Sequence, residues 1–189
     1  VVKGKLGAGG MGDVYLVHDE KLAVDRALKV IQLRRCEGAC SASEAQENRE
    51  RFLREARTLA RLRHPNIIPV QVVDEVDGNP FIVMTHFPSK DARSWLFEDR
   101  PSLELVKKVA DQVASALAYA HGQGVLHRDL KLSNTLVSVS GDVVEAMLID
   151  FGLAKGSNDA DLTRTGRSMG TLTYMAPEYL AANMRGEHP

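Results

Sequence analysis

Gly7-Ala8-Gly9-Gly10-Met11-Gly12-Asp13-Val14 sets three glycines in a G-x-G-x-x-G-x-V pattern. Without Cβ atoms, such a loop lets the backbone approach a phosphate closely and turn with positive φ. By itself the pattern also suits a dinucleotide-binding turn or a plain loop. Asp13 stands where the triphosphatase P-loop needs Lys, which excludes that motif. The strand-prone Asp13-Val14-Tyr15-Leu16-Val17 follows, so the glycines are expected to cap a hairpin, whereas a dinucleotide site would open a helix. Farther on come His127-Arg128-Asp129-Leu130-Lys131-Leu132-Ser133-Asn134 and Asp150-Phe151-Gly152. Asp129 alone reads as a turn or capping aspartate. With Asn134 five residues on and Asp150 ahead of Phe-Gly, it reads as part of a site.

These residues need elements to hold them. Val14 to Val17 and Ala27-Leu28-Lys29-Val30-Ile31 read as strands. The polar 34–48 stretch has no periodicity and is expected to be an exposed loop or a frayed helix start. Phe52, Ala56, Leu59 and Leu62 form the stripe of an amphipathic helix that His64-Pro65-Asn66 stops. Strands are predicted at 67–73 and 81–85, around a turn at Asp77-Gly78-Asn79-Pro80. Val106, Val109, Val113, Leu117 and Ala120 mark a long helix ended by Gly122 and Gly124. Leu136-Val137 and Met147-Leu148-Ile149 are short apolar runs among polar loops. A strand-rich lobe (1–84), a connector (85–91) and a helix-led lobe (92–189) follow from this division.

Composition narrows the function class. The 189 residues carry 24 Lys+Arg against 25 Asp+Glu, a net charge of −1, which offers no broad basic face for nucleic acid. Hydrophobic residues at 44% and charged residues at 26% are those of a globular chain. No apolar run approaches the roughly 18–20 residues that span a bilayer. Val1-Val2-Lys3-Gly4 is not the start of a signal peptide. Cys36 and Cys40 share one short stretch without neighbouring ligands, so they read as loop thiols in a reducing compartment.

Taken in order, the glycine loop, Ala27-Leu28-Lys29, His127 to Asn134, Asp150-Phe151-Gly152 and Ala176-Pro177-Glu178 match the protein-kinase signature set. His64-Pro65-Asn66-Ile67 and Gly170-Thr171-Leu172-Thr173-Tyr174-Met175 add to the match. The chain resembles a eukaryotic-type protein kinase, in the style of the bacterial eukaryotic-like Ser/Thr kinases. The fold this resemblance implies is α+β and bilobal, a β-rich upper lobe with one main helix over an incomplete α-helical lower lobe.

The same resemblance implies ATP as cofactor with Mg²⁺ (Mn²⁺ as the alternative), and protein Ser/Thr hydroxyls as acceptors. Phosphoryl transfer needs alignment and charge neutralisation more than covalent help. Lys29 is expected on the α- and β-phosphates, held by a helix carboxylate. Glu55 is the first candidate and Glu50 and Glu47 are rivals, because the 34–48 insertion makes the spacing long. Asp129 is the expected base, Lys131 steadies the transferring phosphate, and Asn134 and Asp150 hold metal. Leu6, Gly7, Gly9, Gly12, Val14, Ala27, Met84 and Leu136 are expected around the nucleotide. The connector Thr85-His86-Phe87 would present its backbone to the adenine edge, and Ser94 would reach the ribose. Leu132 departs from the family, which usually has Pro there; this alters loop stiffness and removes no ligand.

Thr163 and Thr165, near Arg164 and Arg167, are expected to be phosphorylated between two copies of the chain, with Arg128 as the phosphate partner. The chain ends eleven residues beyond Glu178, where the family continues with further helices. It therefore reads as a fragment, cytoplasmic in setting and derived from a parent that can carry a membrane anchor elsewhere. The competing reading is a pseudokinase or an inactive nucleotide-binding scaffold.

Overall fold

A computed structural model describes residues 1–9, 12–31, 42–151, 174 and 177, without the side chains of 42–48, 51 and 55. The upper half is a five-stranded antiparallel sheet in the order β1-β2-β3-β5-β4. Its strands are β1 (Val2–Gly9), β2 (Gly12–Asp19), β3 (Val24–Ile31), β4 (Val70–Val76) and β5 (Asn79–Thr85). The β1–β2 register closes on Gly9 opposite Gly12, so the glycine motif does cap a hairpin. Helix α1 (Ala42–Leu59) lies against this sheet through Phe52 and Ala56, which join Ala27, Ile31, Ile82 and Met84 in one buried cluster.

The lower half is helix-led. After a two-residue strand β6 (Lys90–Asp91), the one-turn helix α2 (Ala92–Ser94) runs into a π-helical turn (Trp95–Asp99). Asp91 caps α2 by accepting from the Arg93 and Ser94 amides at 3.0 Å each. Helix α3 (Leu103–Gly122) follows, its N-terminus capped by Ser102, and its buried Val109, Ala116 and Ala120 repeat at helical spacing. The hairpin of β7 (Thr135–Ser140) and β8 (Val143–Leu148) completes a second sheet, β6-β7-β8. Trp95, Val109, Val137, Val144 and Ala146 form its core.

A third apolar cluster lies between the halves: Leu62, Ile67, Ala116, Ala120, Leu148 and Phe151. Here the chain departs from expectation. The strand read at 67–73 begins only at Val70, because Ile67 and Ile68 are spent on β8: Leu148 N–H donates to Asn66 C=O (2.8 Å) and Ile68 N–H to Leu148 C=O (3.0 Å). The turn read at 77–80 is only Asp77-Gly78, both at positive φ (51° and 74°), the backbone of a two-residue hairpin loop. Pro80 lies within β5, and it is tolerated there because pairing to β3 starts one residue later, at Phe81. The second half of the polar 34–48 stretch is helical, since α1 begins at Ala42. Cys36 and Cys40 lie outside the described residues.

Candidate active site

Lys29 occupies the middle of β3, the central strand, with Val14 opposite it on β2 and Ile82 on β5. Burial of its alkyl stem leaves the residue 5% exposed, so the ammonium must find an anion. It finds Asp150, whose Oδ1 lies 2.5 Å from Lys29 Nζ across the space between the halves. Asp150 follows directly on β8 and Ile149, and Ile149 N–H donates to Asn134 C=O at 3.0 Å. The end of the β7–β8 hairpin therefore places Asp150 beside the loop that precedes β7.

That loop is built tightly. Asp129 N–H donates back to His127 C=O at 2.8 Å, closing a turn over Arg128, whose φ is 57°. Positive φ in a non-glycine residue costs of order 1–3 kcal/mol, so surrounding contacts must enforce it. They do so on both sides. The Asn134 amide Nδ2 donates to Asp129 C=O (2.8 Å) and to Asp129 Oδ2 (3.0 Å), while Lys131 Nζ stands 2.9 Å from the same Oδ2. The 3₁₀ turn Leu132–Asn134 sets this reach through Asn134 N–H to Lys131 C=O. Leu132, in place of a proline, keeps the turn and packs on the lower core.

His127 locks the loop to Asp150. Its Nε2 is 3.1 Å from Ile149 C=O, and its ring stacks on Phe151 with centroids 4.5 Å apart. Nδ1 faces the Asp129 amide at 3.4 Å, so the neutral Nε2–H tautomer satisfies both contacts. Burial pushes the His127 pKa below the ordinary histidine value, against weaker opposing effects of the Ile149 carbonyl and Asp129. Asp150 itself has φ of 57°, the second non-glycine residue of the site in the left-handed region.

Against this group lies a small, mostly apolar cavity of about 30 Å³, where Lys29, Ile82 and Met84 of the sheet meet Leu59, Leu62, Ile67 and Ile68, with Asp150 and Phe151 on the lower side. Val14, Ala27 and Met84 belong to the upper apolar cluster, and Phe87, Met147 and Ile149 pack against it from below. Leu136 is half-buried and pairs with Met147 in the β7–β8 register. Thr85 N–H donates to Pro69 C=O and its hydroxyl oxygen accepts from Gln71 Nε2, so the strand hands over to the connector at a fixed point. Leu6 is half exposed on β1, ahead of Gly7, Gly9 and Gly12. Ser94 gives its hydroxyl to Asp91 Oδ2 at 2.9 Å.

The structure thus brings together Lys29, Asp129, Lys131, Asn134 and Asp150 from segments up to 121 residues apart. Glu55 sits on α1, and its side chain, like that of Glu47, is not described. Thr163 and Thr165 lie outside the described residues, whereas Arg128 is exposed on the loop. Sequence reasoning passed over Met147, Ile149 and the anchoring role of His127. The signal for the first two was their alternation toward Asp150 in a strand read only as an apolar run.

Comparison with known proteins accords with this geometry. A family model described as protein kinase domain matches residues 1–188. The serine/threonine-protein kinase PknJ of Mycobacterium tuberculosis is 41% identical over 177 residues, covering 93% of this chain and 29% of that protein. Serine/threonine-protein kinase PknD of the same species is 39% identical over 175 residues, 92% of this chain and 25% of the relative. The chain thus spans under a third of these relatives' length. Among solved structures, a double-mutant form of the M. tuberculosis PknI kinase domain aligns with a TM-score of 0.67 at 33% identity, over 87% of this chain and 65% of that one.

Proposed function

We propose, from the premise that this chain belongs to the protein kinase domain family, that the protein transfers the γ-phosphate of ATP to Ser or Thr hydroxyls of other proteins. The carrying observation is the convergence of Lys29 and Asp150 with Asp129, Lys131 and Asn134 where the two halves meet. The naming of its curated relatives as serine/threonine kinases supports the acceptor class. In this reading residues 1–84 and 92–189 are the two lobes and 85–91 the connector that faces the adenine edge.

The donor set suits a hard divalent cation. Asn134 spends Nδ2 on Asp129, so its remaining polar atom is an oxygen, and Asp150 adds a carboxylate. When bound, Mg²⁺ neutralises charge on the phosphates. Lys29 orients the α- and β-phosphates, with Asp150 holding its ammonium from the lower half. Asp129 accepts the proton of the substrate hydroxyl. Its Oδ2 is engaged by Asn134 and Lys131, which fixes the carboxylate while Lys131 stays near the transferring group. Apolar side chains of both lobes (Val14, Ala27, Met84, Leu136) would exclude water around the adenine. The setting we infer is cytoplasmic, with protein substrates as partners.

A transfer assay with radiolabelled ATP, Mg²⁺ and a generic Ser/Thr protein substrate tests this on the full-length protein. Asp129→Asn is expected to lower kcat by about 10²–10⁴-fold, the usual range for a positioned general base, with little change in KM for ATP. Near-wild-type turnover by that variant would reject the role. Absence of transfer by the wild type would leave the scaffold reading in its place.

A further inference from the structure

Arg49 and Glu75 form a two-pronged ion pair that the site described above does not use. Arg49 Nε donates to Glu75 Oε2 at 2.5 Å, and Nη2 donates to Oε1. Both side chains are less than a third exposed, at 28% and 30%. A planar guanidinium on a carboxylate fixes direction as well as distance, which a single-point lysine contact does not.

The pair spans two elements that matter for Lys29. Arg49 precedes Phe52 and Ala56 on α1 by three and seven residues, so it shares their sheet-facing side. Glu75 lies near the end of β4, the edge strand of the sheet, opposite Pro80. Phe52 and the small Ala56 set how closely α1 approaches the sheet. They also decide which face of α1 is buried, and a two-pronged ion pair adds a directional restraint that apolar contact by itself does not supply. At 3.6 residues per turn, position 55 lies about 120° around the helix from position 49. Fixing Arg49 on Glu75 therefore fixes the side of α1 on which position 55 lies.

We propose that the Arg49–Glu75 fork is a positioning contact that sets the rotation of α1 and, through it, the reach of position 55 toward Lys29. The proposal deepens the kinase reading above and rests on it. Its effect is on phosphate alignment, which belongs to kcat, and the fork touches no substrate.

Arg49→Glu, Glu75→Arg and the double exchange in the full-length protein provide the test, read by steady-state kinetics and by amide hydrogen exchange along residues 49–59. Each single variant is expected to lower kcat about tenfold with KM for ATP within about twofold. The exchanged pair is expected to return kcat to within about threefold of wild type. Exchange of the α1 amides should quicken in the singles and recover in the double variant. A wild-type kcat in the singles, even with a lowered melting temperature, overturns the proposal, as does a double variant no better than its parents. If the wild type transfers no phosphate, the kinase reading falls by itself. The exchange data then decide alone: restoration in the double variant upholds the fork's hold on α1, and unchanged exchange in the singles removes it.

Discussion

His127 illustrates how much one side chain can hold. Its ring carries the Ile149 carbonyl on one nitrogen, faces the Asp129 amide with the other and stacks on Phe151. All three contacts suit the neutral form, and burial lowers its pKa. Above the ordinary histidine value both folded and unfolded chains are neutral at this position, and its contribution is complete. As pH falls below that value the unfolded chain takes the proton first, so stability declines until the folded ring is itself protonated. Thermal melts at pH 7.5 and 5.5 should therefore show a smaller pH-dependent fall in Tm for His127→Gln than for wild type. Equal slopes would contradict this account. Asp129, Lys131, Asn134 and Asp150 were legible from the sequence because each lies inside a short contiguous motif. The hold that His127 exerts on the Asp150 segment was not legible, since it joins residues 22 apart through a main-chain oxygen that no side chain announces.

Among the elements, the β1–β2 hairpin shows what its third glycine is for. Gly12 has φ of 139°, and a Cβ built on it would meet Val30 C=O of β3 at 1.9 Å. Neither the backbone conformation nor the neighbouring strand can yield cheaply, so Gly12→Ala should cost at least about 2 kcal/mol. For a chain of this size that is a Tm loss of roughly 4–8 °C, together with a raised KM for ATP as β2 shifts off β3. A variant matching wild type in both measurements would show that the close approach does not govern the hairpin. Strands β2 and β3, α1 from Phe52 onward and α3 could be read from periodicity, because each buries one face against a single partner. The π-helical turn at Trp95–Asp99 could not: its geometry follows from docking Trp95 in the lower core while Lys90 pairs with Glu98 and Asp99. Placing Ile67 and Ile68 in the same strand as Val70 fails for a related reason. Their apolar side chains are strand-like, but their partner is a strand some 80 residues away.

For the whole molecule, the join between the halves depends on Gln112 of α3. Its Oε1 accepts from Ala146 N–H (2.7 Å) and from Asn66 Nδ2 (2.9 Å), and its Nε2 donates to Val144 C=O (2.9 Å). Asn66 Nδ2 also donates to Ala146 C=O at 2.8 Å. The outer edge of β8 is thus completed by two side chains and then by segment 66–68, and among the described residues no buried side-chain polar atom lacks a partner. Gln112→Leu would leave Ala146 N–H and Val144 C=O unmet inside the lower core, at a cost of about 2–4 kcal/mol. Gln112→Glu keeps the acceptor and should cost less. Urea titrations should rank wild type, Glu and Leu in that order; a Leu variant within about 0.5 kcal/mol of wild type would remove this role.

Among the described residues the main chain joins the lobes at the Asn66–Ile68 seam on β8 and at the connector after Thr85. Two such joins define a spine, as in a bound book. Sliding one half past the other would tear the seam's backbone hydrogen bonds, whereas tilting about the spine keeps them. The glycine hairpin, carried on the far strands β1 and β2, hangs from the free margin of the page, so a small tilt gives it the longest swing.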